Sequence, residues 1–163
     1  MAHPLDKSAA EQALSQHLDY VYTICIRMTG DADDAQDASQ ETFLKAFKKW
    51  RTYDQGRELK NWLAAIAINT CKDLFRRRSR IRSIGTDDAE ALSDKGRQQD
   101  SLDKRLLGER MLDALPFEYR SVMVLFYLEE RSILEISEIL KIPAVLVKVR
   151  LHRARKKLME RFK

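Results

Sequence analysis

The sequence predicts an all-α protein built as two small helical domains joined by a flexible linker. Three observations carry that expectation. Apolar residues recur at three- and four-residue spacing through most of the chain, and no strand-type alternation competes with them. Only 5 glycines and 3 prolines occur in 163 residues, of which 44% are hydrophobic and 34% charged, so there is core material with few turns. One internal stretch, residues 81–104, gives up its apolar anchors for Ser, Gly, Asp and Gln.

Taken in order, the first stripe is Leu14, Leu18, Val21, Cys25 and Met28, closed by Gly30 as a C-terminal cap. A second helix is expected from about Ala32 to Trp50, with Ala35, Ala38, Thr42, Phe43, Ala46 and Phe47 inward. Arg51 to Glu58 reads as a loop from its turn residues Tyr53-Asp54-Gln55-Gly56. A third helix follows from about Leu59 to Arg80, with Trp62, Ile66, Thr70 and Leu74 in register and Leu63, Ala67 and Cys71 beside them. Beyond the linker the pattern returns at Leu107, Met111, Leu112 and Leu115, breaks at Pro116, and resumes with Tyr119, Val122, Leu125, Phe126 and Leu128. Ser132-Ile133-Leu134-Glu135 has the form of a capping box, and a turn at Lys141-Ile142-Pro143 leads to a last helix with Val147, Leu151, Ala154 and Leu158 inward. The domains are thus expected at 1–80 and 105–163, with the linker at 81–104.

Composition narrows the function classes. No apolar run approaches the roughly 20 residues of a membrane span, so no membrane insertion is expected. Met1-Ala2-His3-Pro4 opens without the apolar region of a secretory signal. Cys25 and Cys71 lie inside helical patterns without metal-site spacing, which fits reduced core thiols of a cytoplasmic protein. His3, His17 and His152 are scattered, and no nucleophile–base set, phosphate-binding glycine loop or metal-ligand spacing occurs. No catalytic residue, metal site or cofactor is expected.

Net charge is +5, and its distribution says more than its size. Residues 72–82 hold six bases against Asp73 alone, and residues 148–157 hold six bases and no acid. Asp31, Asp33, Asp34, Asp37 and Glu41 form an acidic run without a base between them. Two basic clusters and one acidic cluster suit a polyanion and a basic protein surface; the same acids also suit the capping of a helix N-terminus. The last two helices, joined by a few residues and basic on the outer side of the second, follow the helix-turn-helix plan, in which Lys148, His152, Arg155 and Lys156 can enter a major groove.

Specific motifs add a family. Residues 30–46, Gly-Asp-Ala-Asp-Asp-Ala-Gln-Asp-Ala-Ser-Gln-Glu-Thr-Phe-Leu-Lys-Ala, resemble the core-binding segment of extracytoplasmic-function (group IV, sigma-70 superfamily) RNA polymerase sigma factors. Asn61-Trp62-Leu63-Ala64-Ala65-Ile66-Ala67-Ile68-Asn69 resembles their promoter-melting helix, ending in Arg76-Arg77-Arg78-Ser79-Arg80. Leu115-Pro116-Phe117-Glu118-Tyr119-Arg120, Glu135-Ile136-Ser137-Glu138-Ile139-Leu140 and Val147 to Arg155 resemble their upstream-promoter-binding domain. The resemblance covers about residues 12–80 and 105–162.

The resemblance implies a sigma region 2-like bundle before the linker and a sigma region 4-like domain after it. Asp33, Asp34, Asp37, Gln40 and Glu41 would dock on a coiled coil of the largest subunit of bacterial core RNA polymerase. Tyr53, Trp62 and Asn69 would lie near an unstacked base of the start-proximal element, with Lys72, Arg76, Arg77 and Arg80 on the duplex backbone upstream of it. For Trp62, a place in the core competes with that role. Lys148, Arg150, His152, Arg153, Arg155 and Lys156 would hold the upstream promoter DNA, and an anti-sigma factor would regulate the whole.

The chain departs from the family pattern in the second domain. Lys141 stands where a turn glycine is usual, and Val145-Leu146 and Val149 stand where small or polar residues are usual. Aliphatic groups can touch thymine methyls but cannot donate to phosphates. A sigma-like decoy that sequesters an anti-sigma factor is the competing reading of that surface.

Overall fold

A computed structural model of the chain describes residues 7–84 and 104–162. Its described residues are helical, with no strand among them. The bulk of the predicted linker, 85–103, lies outside the described residues, as does His3.

In the first unit, α1 (Lys7–Ser15) leans on a three-helix bundle of α2 (Leu18–Thr29), α3 (Ala32–Lys48) and α4 (Leu59–Ile84). Each helix of the bundle contributes one apolar stripe: Val21, Ile24, Cys25 and Met28 from α2, Ala35, Ala38 and Ala46 from α3, and Leu63, Ala64, Ala67, Ile68 and Cys71 from α4 are all buried. The small residues on α3 and α4 let the axes approach closely. Gly30 ends α2 in the left-handed region (φ 70°) and donates its amide to the Ile26 carbonyl at 2.8 Å, as a helix C-cap requires. Asp31 then starts α3, its carboxylate accepting from the Asp34 amide at 3.0 Å.

Four boundaries differ from the sequence expectation. The first stripe is two helices, since the chain turns at Gln16-His17; α2 is re-phased there, and Leu18 falls outward at 53% exposure. The second helix stops at Lys48, and Trp50 is buried on a 3-10 turn, Trp50–Thr52. The third helix continues past Arg80 to Ile84. Within the expected stripe of residues 119–128, Leu128 is exposed because Val124–Leu128 is a π-helical turn. That widening shifts the register by a residue and brings Val124 into the core instead.

The second unit is α5 (Lys104–Asp113), α6 (Phe117–Met123), the π turn, α7 (Ile133–Leu140) and α8 (Ala144–Arg161). Its core is Val122, Val124, Leu125, Ile136, Ile139, Val147 and Leu151, with Leu115, Ala154 and Leu158 closing one end. The expected capping box is present: Ser132 accepts from the Glu135 amide at 3.1 Å and Glu135 accepts from the Ser132 amide at 3.3 Å. Lys141, at the position where the sequence departs from a glycine, ends α7 in the left-handed region at φ 55°. A side chain there strains against the following carbonyl, so Lys141→Gly is expected to stabilise the chain by about 0.5–1 kcal/mol in chemical denaturation. A destabilised Lys141→Gly protein would show that the lysine makes a compensating contact.

The two units pack on each other, and one hydrophobic cluster runs from Ala10 in the first to Leu151 in the second. α2 meets α5, α6 and the π turn, while α4 meets α7. Phe75 and Phe117 stack edge to face across the seam, with ring centroids 5.4 Å apart.

Candidate nucleic-acid and protein interfaces

The α3 surface divides the acidic run in two. Asp33, Asp37 and Gln40 are exposed, and Leu44, at 62% exposure, extends the same outward stripe at i, i+4, i+7, i+11. Asp34 faces inward instead: it is buried and holds Arg78 of α4 through both carboxylate oxygens. Glu41 is half-buried, 3.5 Å from Lys45 and 3.2 Å from Arg77. Of the five residues singled out on this helix, three are therefore exposed. Asp34 and Glu41 tie α3 to α4. Arg77, grouped in the sequence with the DNA-holding bases, is on the α3 side of α4 through that pair with Glu41.

On α4 the face opposite the core carries Trp62, Asn69, Arg76 and Arg80, spaced i, i+7, i+14, i+18 and so nearly in line down the helix. Asn69, Arg76 and Arg80 are exposed, and Lys72 flanks them half-buried. At the N-terminal end of this line three rings assemble. Tyr53 lies 5.3 Å from Trp50 and 5.0 Å from Trp62, and the two tryptophans meet edge to face at 6.1 Å. Trp62 is half-buried, so its ring is at once packing for Trp50 and a wall of the site. Trp50 is the anchor that sequence reading left at the end of a helix; the step from Lys48 into a 3-10 turn is what drives it inward.

The loop after this turn is internally fastened. The Tyr53 hydroxyl donates to the Arg57 carbonyl at 2.6 Å, and Asp54 accepts the Gly56 amide at 2.9 Å. Burial, with the neighbouring Asp54 and Glu58 carboxylates, pushes the Tyr53 phenol above its ordinary value and keeps it a donor. The result is a ring cluster leading to a polar, basic helix face: aromatic rings first, the exposed Asn69 amide next, guanidinium groups beyond.

α8 has the two-sided character expected of a recognition helix. Val147, Leu151, Ala154 and Leu158 are buried. Lys148, His152, Arg153, Arg155 and Lys156 are exposed, and so is Val145 at 71%. Arg155 is held by the Tyr127 hydroxyl at 2.6 Å. Arg150 is separate from this group: it is half-buried, with its guanidinium 3.9 Å from Glu118 of α6. Val149 is half-buried, which leaves Val145 as the prominent aliphatic group on the open side.

Cys25 and Cys71 are free and fully buried, and the hydrogen bond between them, with burial, pushes the Cys71 thiol well above its ordinary value. Such thiols are unreactive. No group of His, Cys, Asp or Glu among the described residues is placed to hold a metal ion. No described helix is long and apolar enough to cross a membrane.

The comparisons with known proteins follow the same division. Residues 13–81 match the family Sigma-70 region 2, and residues 109–158 match Sigma-70, region 4. The chain is 31% identical to the ECF RNA polymerase sigma factor SigW of Bacillus subtilis, over 97% of this chain and 91% of that protein. It is 35% identical to the ECF RNA polymerase sigma factor SigE of Mycolicibacterium smegmatis, over 92% of this chain but 60% of that longer protein. Among solved structures it resembles the sigma factor RpoE in complex with the anti-sigma factor NepR from Bartonella quintana, with a TM-score of 0.74 and 28% identity over 92% of this chain and 94% of that one. With both family regions in order and a bundle and a helix-turn-helix in the matching places, the chain belongs to the extracytoplasmic-function family of RNA polymerase sigma factors, the subunits that bring core polymerase to promoters and start transcription.

Proposed function

We propose that three surfaces divide the work of initiation. The stripe Asp33, Asp37 and Gln40 on α3 docks on a basic coiled coil of core polymerase, where opposite charge sets encounter rate and register more than affinity. The Trp50–Tyr53–Trp62 platform and Asn69 receive an unstacked base of the start-proximal element, while Lys72, Arg76 and Arg80 hold the duplex beside it. The open side of α8 sits on the upstream element, with Arg155 reading or clamping and Lys148, Arg153 and Lys156 on phosphates. The observation that carries this division is the alignment of Trp62, Asn69, Arg76 and Arg80 along one side of α4, next to the Trp50–Tyr53–Trp62 ring cluster.

The mechanism is binding without chemistry. Two modest DNA contacts on one polymerase-bound chain act together by effective concentration, and base capture stabilises the opened strand. The chain acts in the cytoplasm, with no catalytic step of its own, and an anti-sigma factor withholds it; the likeness to an anti-sigma-bound sigma factor supports that last point. The decoy reading draws on exposed Val145, and an electrophoretic shift of promoter DNA by the chain with core polymerase decides against it.

Lys148→Ala and Arg155→Ala are expected to weaken upstream-element binding by about tenfold each, the order expected for a lost charged contact to phosphate or base. Each phosphate contact removed should also lower the salt dependence by about one unit of slope. Core polymerase binding should stay as in the parent. Equal loss of polymerase binding would contradict the separation of surfaces.

A further inference from the structure

Tyr127 belongs to the π turn and not to α8, yet it is joined to the open side of that helix. Its hydroxyl accepts from the Arg155 Nε at 2.6 Å, and the guanidinium carbon lies 5.7 Å from the Tyr127 ring centroid. The two distances together set the guanidinium off the hydroxyl tip of the ring rather than over its face. The hydrogen bond, not a cation–π contact, therefore holds the pair. Local backbone supplies the tyrosine. Within the π turn Val124–Leu128, Val124 and Leu125 are buried, while Tyr127 leaves the surface at 49% exposure. Turns of this kind are rare and gather at functional sites.

The charge of Arg155 is uncompensated. Arg77 and Arg78 bond carboxylates of α3, and Arg150 lies 3.9 Å from Glu118, whereas Arg155 pairs with no carboxylate among the described residues. With Nε taken by Tyr127, its two terminal nitrogens remain for a ligand. The Tyr127 hydroxyl is the acceptor in that bond, so its own proton also remains to donate. Position decides between a base and a phosphate as that ligand. Lys148, His152 and Arg155 share one face of α8 at i, i+4, i+7. At 1.5 Å rise per residue Arg155 stands about 16 Å along the helix from Ala144, and the major groove is about 12 Å wide. The first turns of a recognition helix meet base edges; a side chain this far along meets the phosphate wall.

We propose that Tyr127 and Arg155 form a two-residue clamp for one backbone phosphate of the upstream duplex. The terminal nitrogens of Arg155 donate to one phosphate oxygen, and the Tyr127 hydroxyl, while accepting from Nε, donates its proton to another. Tyr127 thereby fixes the guanidinium before DNA arrives, so less side-chain freedom is lost on binding. The clamp rests on the proposed placing of α8 on DNA. It adds to that reading a DNA-binding residue outside the recognition helix and the chemical group that the residue holds.

The test uses the full chain in two settings. One is the chain by itself on a short duplex of arbitrary sequence at low salt, where phosphate contacts dominate. The other is the chain with core polymerase on a promoter fragment that the two transcribe. Tyr127→Phe keeps the ring and removes only the hydroxyl of an exposed side chain, so a thermal melt should match the parent. It is expected to weaken binding to both DNAs by about three- to tenfold. In an Arg155→Ala background the same change should cost less than about twofold, since the partner is already gone. Arg155→Lys keeps the charge but cannot bond hydroxyl and phosphate together. It should lose affinity at an unchanged salt slope, where Arg155→Ala lowers the slope by about one unit. On the promoter, ethylation of one particular phosphate should impair binding of the parent and no longer that of Tyr127→Phe or Arg155→Ala. Parent-like binding by Tyr127→Phe overturns the clamp, as does an equal loss with and without Arg155. That second outcome with a lowered melt makes Tyr127 a tie between the π turn and α8 alone. Failure of the parent to bind the arbitrary duplex at low salt overturns the clamp as well. If no fragment is transcribed, the proposed function fails, while the arbitrary duplex still decides the clamp.

Discussion

Reversing one exposed charge, Asp37→Arg, is expected to weaken binding to core polymerase by about 10- to 100-fold while leaving the fold intact. Asp37 is exposed in the middle of α3 and between Asp33 and Gln40 on the outward stripe, so it has no structural partner to lose. Setting an arginine against a basic partner replaces attraction with repulsion, worth about 1.5–3 kcal/mol at a partly desolvated contact. Asp34→Arg would be a poor substitute for this experiment. Asp34 is buried against Arg78, and reversing it would strike the joint between α3 and α4 before it reached any partner. Equilibrium binding to core polymerase, beside a thermal melt, checks the prediction. Parent-like affinity for Asp37→Arg would remove the α3 stripe from the interface.

Trp50→Ala is expected to have the largest effect on stability. The ring is 7% exposed and packs on Tyr53 and Trp62, so truncation removes transfer free energy and leaves a cavity, together about 3–5 kcal/mol. For a chain of this size that lowers Tm by roughly 10 °C. The functional consequence should be local: without Trp50 beneath it, Tyr53 loses its stacking and the loop to Glu58 loses its platform. Binding of start-proximal single-stranded DNA should fall, and duplex binding through α8 should persist. Loss of both together would mean that Trp50 supports the entire chain rather than one site.

Much of this was legible in the sequence because helical burial is periodic. The α8 stripe Val147, Leu151, Ala154 and Leu158, the α3 stripe of alanines and Thr42, the Gly30 cap and the Ser132–Glu135 capping box all appear where spacing put them. What spacing could not show was phase. The turn at Gln16-His17 and the π turn at Val124–Leu128 each shift the helix by a fraction of a turn, so Leu18 and Leu128 read as inward and are outward. Spacing in a single sequence carries no signal for such shifts.

The acidic run illustrates a second gap. Asp33, Asp34, Asp37 and Glu41 have the same chemistry in sequence, and only tertiary geometry separates the two that bind Arg78 and Arg77 from the two that face out. Likewise, nothing in a linear reading brings Arg27, Glu58, Asn61, Glu129 and Arg131 together. They meet only because the second unit folds back onto α2 and α4. The composition of residues 81–104 predicts two small helical domains joined by a flexible linker; in the structure one apolar cluster includes residues of both.

The most direct test of the account is run-off transcription by the purified chain and core polymerase lacking other sigma factors, on a library of promoter fragments. Transcripts starting at defined positions, behind two shared sequence elements at a fixed separation, are the predicted result. A chain that binds core polymerase yet yields no defined start on any fragment would contradict it.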